Sequence, residues 1–424
     1  MKRVFCLKTK TVKLFLLVVM LCIFLSSCGN QKNKVVVSDL EVIPPELLLE
    51  DYDEFWKEFR NNYIFIPILE ENGIEIDSIE KKYRETLEKS ELDIKGFYSL
   101  LEKMLGEMSN FAHLQMVYPG WAQYYIDSEY DWLLNETPEK LDVCRATYNK
   151  LQELMPDEER SEQINLMRPQ VSHYYDTKTV CIRYMTFSYD EGDRDKGLLL
   201  DALSNAYDQM GGIDNIIIDI RGNGGGNTEY WRGSIVGPLG GQSGWNIEIF
   251  TKDVPLLVEE IEKESKEGTF ESEFTFSRGY GYKPISEYPK DRTLPPFVEQ
   301  LGLNYYSDEE ETIKDTSEGD IDTDGINKYV LIDGYVYSAA DNFAMFCKDT
   351  GWATLIGRPT SGDGAGGMPL GVILENTGII FRFSVTASPN DAGELNTIKG
   401  TNPDVFTLKE DALTKCLSII SSEG

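Results

Sequence analysis

Histidine is almost missing from this chain: 424 residues contain two, His113 and His173. Any chemistry that needs an imidazole must run through one of those positions. The seven cysteines form no CxxC pair and do not cluster with histidine. The usual zinc and iron–sulfur spacings are therefore absent, and we expect no metal and no cofactor. Basic side chains are also scarce, 41 against 72 acidic, for a net charge of −31. So acidic a chain repels polyanions, which excludes nucleic acid and an anionic membrane surface as partners. A dinucleotide fingerprint fails at its sixth place, which is Asn227 counted from Gly222 and Glu229 counted from Gly224. A calcium loop fails similarly. Asp320, Asp322, Asp324 and Gly325 imitate its first half, but Leu331 stands where a bidentate glutamate belongs.

No apolar run is long enough to span a bilayer as a mature anchor. The longest, residues 14–25, lies at the N-terminus behind Lys2, Arg3, Lys8, Lys10 and Lys13 and ends at Ser26-Ser27-Cys28. Residues 1–27 resemble a bacterial lipoprotein signal peptide, which makes Cys28 the expected lipidated residue. The chain would then be a lipid-anchored membrane protein of the bacterial cell envelope, with membrane and leaflet left open. Cleavage removes five of the 41 basic and none of the 72 acidic side chains, leaving about −36. Past Cys28 remain Cys144, Cys181, Cys347 and Cys416. A chain this long needs no staples, so these are expected to be buried apolar thiols.

The polar stretch 28–46 reads as a tether. Residues 47–110 carry a helical period, with Phe55, Trp56 and Phe59 on one face, and form a small N-terminal helical domain. The remainder, 111–424, reads as an α/β core. Residues 111–117 alternate into a strand and place His113 at a helix-to-strand junction. From 118 to 176 only weak helix is legible. Strand at 180–187, helix at 198–210 and strand at 213–220 make a βαβ unit, which implies parallel pairing in a mixed sheet. The second strand runs into Arg221-Gly222-Asn223-Gly224-Gly225-Gly226, a turn that can present bare N–H groups. Residues 231–327 are a long acidic insertion of the kind that forms lids or binding loops, with a helix near 256–266 and an aromatic, glycine-rich run at 276–282. Later come a short strand at 353–356 and a hairpin of 371–374 with 379–387 around Asn376-Thr377-Gly378.

The candidate chemistry centres on Ser338. A buried strand at 329–332 is broken by Asp333-Gly334, and Ala340, Phe343, Ala344 and Cys347 then recur at helical spacing. Ser338 thus sits at a helix N-terminus. There its hydroxyl could simply cap the helix, or it could act as a nucleophile given a base and fixed oxyanion donors.

Four motifs occur in one order: IDIRGNGGG at 218–226, YSAAD at 337–341, LIGRPTSGDG at 355–364 and GTNPD at 400–404. Together they resemble the C-terminal processing, or tail-specific, serine peptidases, most nearly the branch that includes the tricorn protease core. The resemblance implies Ser338 as nucleophile, His113 as base and Glu394 as distal carboxylate, with Asp391 its rival. Gly225 and the N–H of Ala339 become the oxyanion donors. Many relatives carry a catalytic lysine where this chain has Asp363. As a direct base a free carboxylate is too weak for a serine hydroxyl, so Asp363 is expected to take no part in proton transfer. In the tricorn core a serine before the histidine links it to the carboxylate; here that residue is Ala112. No PDZ module fits between His113 and the strand at 180. The resemblance implies a lipid-anchored serine endopeptidase cleaving peptides or protein tails. The alternative is a non-catalytic ligand- or peptide-binding lipoprotein on the same fold. Oligomeric state is left open.

Overall fold

The computed structural model describes residues 37–109, 111–127, 133–134, 137–156, 168–187, 192–255, 282–316, 323–364, 369–408 and 411–423. Cys28 and the signal segment lie outside them, as do the helix expected at 256–266, nearly all of the run at 276–282, and both Asp320 and Asp322.

The largest of the sheets has six strands. Its order is β13 (Val405–Phe406), β10 (Thr354–Gly357), β9 (Asn327–Ile332), β5 (Asn215–Asp219), β4 (Thr179–Arg183), β3 (Gln170–Tyr174). All neighbours run parallel except the β3–β4 pair. The expected βαβ unit is β4, helix α5 (Gly192–Met210) and β5. Unbroken β-branched runs suit strands covered on both faces, and alternate residues divide accordingly. Ile216, Ile218, Val330 and Ile332 pack with Leu199 and Leu203 of α5 and with Phe343 and Phe346 of α6 (Ala339–Thr350). Ile217, Tyr329 and Leu331 pack on the opposite face against Cys416 and Ile420 of α7 (Ala412–Glu423). The four described cysteines are buried and unpaired.

A second sheet, ordered β1 (Gln115–Met116), β12 (Ile380–Phe383), β11 (Leu370–Ile373), β2 (Leu133–Leu134), shares its core with α1 (Pro45–Asn62), α2 (Ile76–Leu87), α3 (Ile94–Glu107) and α4 (Pro138–Leu154). Helix α4 lies where the sequence offered only weak helix. Proline at its first turn and the Thr137 hydroxyl, which accepts from Lys140 N–H at 3.2 Å, fix its start. The β11–β12 turn is welded to α1: buried Asp51 accepts the N–H groups of Asn376 and Thr377, each at 2.8 Å. Asp51→Ala would strand both donors, and we expect a loss of about 2–4 kcal/mol in unfolding free energy, read by denaturant titration.

The acidic insertion is more regular than the sequence suggests. It forms a three-stranded antiparallel sheet ordered β6 (Gln242–Thr251), β8 (Tyr305–Ile313), β7 (Lys283–Pro284). Phe250 pairs with Ala387 and Trp245 donates to Asp349 at 3.1 Å, so β6 leans on the region behind α6.

Candidate active site

Between β9 and α6 the chain makes a turn pinned from two sides. Asp333 Oδ1 accepts from Gly222 N–H at 3.1 Å and Tyr335 N–H at 3.0 Å. Ser361 N–H donates to Val336 O at 2.8 Å, and Ser338 N–H to Gly362 O at 3.0 Å. Ser338 is thereby held at φ 54°, ψ −128°, a conformation costly for any residue but glycine. It occupies the N-cap of α6, yet its side chain makes no capping bond. The hydroxyl instead lies 3.1 Å from Nε2 of His113.

The expected strand at 111–117 is shortened to β1, because Phe111, Ala112 and His113 form a helical turn with Ala112 at φ 51° and His113 at φ 57°. Left-handed backbone costs about 1–2 kcal/mol per residue. It is held in part by Ser384 N–H donating to Ala112 O at 2.9 Å. The turn swings the imidazole off the strand toward Ser338. His113 Nδ1 meets Asp363 Oδ2 at 2.6 Å and Ser384 Oγ at 3.0 Å. This network assigns the proton to Nδ1 and leaves Nε2 free to accept from the serine.

Asp363 therefore replaces Glu394 beside the histidine. Glu394 is exposed in a turn whose backbone is tied to Asn390, and its rival Asp391 is exposed near Lys348 and Asn402. Asp363 is buried at φ 65° and also accepts from Tyr337 Oη at 2.6 Å and Thr397 Oγ1 at 3.3 Å. Burial pushes its carboxyl up, but His113 and the two hydroxyl donors outweigh this and hold it below the usual carboxylate range. The expectation that Asp363 takes no part in proton transfer did not foresee this contact with the histidine. A carboxylate so placed can fix the tautomer and orientation of the imidazole without acting as a base for the serine. Its position in the lysine's place was visible in the sequence. The contact with His113 was not, since it joins chain segments from different sheets. Among the described residues, six non-glycine positions have positive φ, and His113, Ser338, Asp363 and Ala112 are four of them. Strain gathered at one locus points to function independently of any family pattern.

Gly225 (φ 104°) approaches so closely that a Cβ there would lie 2.9 Å from Ser338 Cβ and 3.0 Å from Ala339 N. Only glycine permits this. Its N–H, however, donates to Asn223 Oδ1 at 2.9 Å. As an oxyanion donor it would have to exchange that bond for one to the substrate oxygen. The N–H of Ala339, first residue of α6, has no acceptor within its own helix. His173 lies on edge strand β3, separated from β9 by β5 and β4, and does not join the site.

Sequence reasoning also missed Asp341. Fully buried, it accepts from Thr360 and Thr401 hydroxyls, Asn396 Nδ2 (2.9 Å) and Gly364 N–H (3.0 Å). It ties three of the four motifs together.

Residues 178–407, more than half of the chain, match the model of peptidase family S41. The chain belongs to that family. The matched span contains the glycine turn, Ser338 and Asp363 and leaves His113 outside. No curated protein matches the chain. Among solved structures, mature CPAF complexed with lactacystin is similar at 12% identity, covering 89% of this chain and 97% of its own, with a TM-score of 0.50. A lipoprotein from Streptococcus agalactiae is 11% identical (93% and 100% covered, TM-score 0.47). The photosystem II D1 C-terminal processing protease is 14% identical (86% and 92%, 0.40). At such identities these likenesses speak to the fold alone. Membership of a peptidase family implies peptide or protein substrates.

Proposed function

We propose that the protein is a serine endopeptidase, lipid-anchored through Cys28 in the bacterial cell envelope and cleaving peptides or protein tails. One observation carries the reading: the Ser338 hydroxyl ignores the helix it could cap and meets His113 Nε2, whose other nitrogen meets buried Asp363. In the reaction His113 takes the serine proton as Ser338 Oγ attacks the peptide carbonyl. Asp363 stabilises the imidazolium that forms. Ala339 N–H, joined by Gly225 N–H once Asn223 releases it, receives the oxyanion. The imidazolium then protonates the leaving amine, and water, activated by the same base, hydrolyses the acyl-enzyme. The proposed organisation is a tether at 28–46, a helical domain at 47–110 and a catalytic core at 111–424 interrupted by the insertion at 231–327.

Wild-type protein is expected to degrade an unfolded protein such as reduced casein, and Ser338→Ala to lose that activity at unchanged melting temperature. Equal turnover by both would refute the nucleophile. Cys28→Ser should move the chain from the membrane to the soluble fraction of cells, and retention at the membrane would refute the anchor. A non-catalytic binding protein is the second reading, favoured by the occupied N–H of Gly225.

A further inference from the structure

Tyr337 immediately precedes the nucleophile, and we propose that its hydroxyl is the positioning group that keeps the His113–Asp363 pair in register with Ser338. The inference rests on the serine-peptidase reading. Ser338 and Asp363 already form one unit. The loop bearing Asp363 is bonded to the nucleophile segment through Gly362 O with Ser338 N–H, Ser361 N–H with Val336 O, and Gly364 N–H with Asp341. His113 comes from elsewhere, the segment leading into β1 of the other sheet, and reaches the site on a left-handed backbone. The Tyr337 hydroxyl bridges these parts with both of its capacities. It donates to Asp363 Oδ2 at 2.6 Å, the same oxygen that meets His113 Nδ1, and it accepts the backbone N–H of His113 at 3.3 Å. Its ring lies 4.9 Å from the imidazole. The tyrosine is itself fixed by its N–H, which donates to Asn223 O at 3.2 Å.

A phenylalanine would fill the same space and do neither. Without the phenol, the strained His113 backbone loses a tie, and Asp363 loses a donor that shares its charge. More of that charge then falls on the imidazole, which stabilises its protonated form. Among the described residues, the other ionisable groups bearing on this cluster are Tyr63, whose hydroxyl donates to Phe111 O, and Arg382 on β12. Both are unchanged by substitution at 337.

The test is the second-order rate of fluorophosphonate labelling of the full chain as a function of pH, which needs no known substrate. Tyr337→Phe is expected to label about 10- to 100-fold more slowly at neutral pH. The pH below which labelling falls should also move upward. A variant that merely loosens the fold would label less at every pH without moving that limb. Should Tyr337→Phe fail to fold, 3-fluorotyrosine at 337 keeps the packing and is a stronger donor, and it should move the limb downward. Wild-type protein that labels, with a variant matching its rate and its limb, overturns the role of Tyr337 alone. Wild-type protein that does not label overturns the nucleophile and Tyr337's role together.

Discussion

Asp363→Asn is expected to lower turnover by about 10⁴-fold with little change in KM. The asparagine would fit the space, but with its amide nitrogen toward His113 Nδ1 it would donate there and drive the ring proton to Nε2, and with its oxygen there it would keep the tautomer but lose the negative charge that stabilises the imidazolium. If the ring carries its proton on Nε2 it cannot accept one from Ser338. A drop of this size without a rise in KM would mark loss of an interaction made in the transition state. A loss under tenfold would mean that Asp363 is only a buried neighbour. The pH behaviour follows from the direction of its shift. Its folded value is depressed, so the stability it lends is fully present above the ordinary carboxyl value of about 3.9. That stability is lost as pH falls through the lower folded value.

His113→Ala should cost about 10⁴-fold or more in turnover, because among the described residues His113 is the base that meets Ser338 Oγ. His173→Ala is the control and should cost little, since β4 and β5 separate its strand from β9. Comparing kcat of the two variants on the same unfolded substrate decides the base. The reverse ranking would show that the contact at 3.1 Å is idle.

These expectations differ from what the sequence alone offers, and the differences have physical causes. The strands β5 and β9 were legible because burial on both faces demands unbroken apolar runs. Ser338 and the glycine turn were legible because a strand break, a helical period and adjacent glycines are local signals. The carboxylate was not. Asp363 becomes the partner of His113 only when the β1–β12 pair meets the six-stranded sheet, a contact with no local signature. Glu394 matches its place in the family pattern, but the turn that carries it is exposed. The β6–β8 sheet was illegible for another reason. Acidic residues such as Asp308, Glu310 and Glu311 are poor strand formers. Cations on β7 and on segments beyond the sheet offset them: Lys283 meets Asp308 at 2.8 Å, Arg292 meets Glu248 at 2.7 Å and Arg232 meets Glu311 at 2.5 Å. Such pairs cannot be read before the fold is known.

Asp341 illustrates a residue whose role is structural but which lies beside the candidate site. Four donors converge on its buried carboxylate, and burial still pushes its pKa up. It lies three residues beyond Ser338 and bonds the residue after Asp363, so it holds nucleophile and acid at a fixed separation without touching either reacting atom.

The most direct test of the account is to locate a fluorophosphonate adduct by mass spectrometry. Wild-type protein should carry one adduct, on the peptide containing Ser338, and Ser338→Ala and His113→Ala should carry none. An adduct on a different serine, or folded wild-type protein that stays unmodified, would contradict the claim that Ser338 is an activated nucleophile.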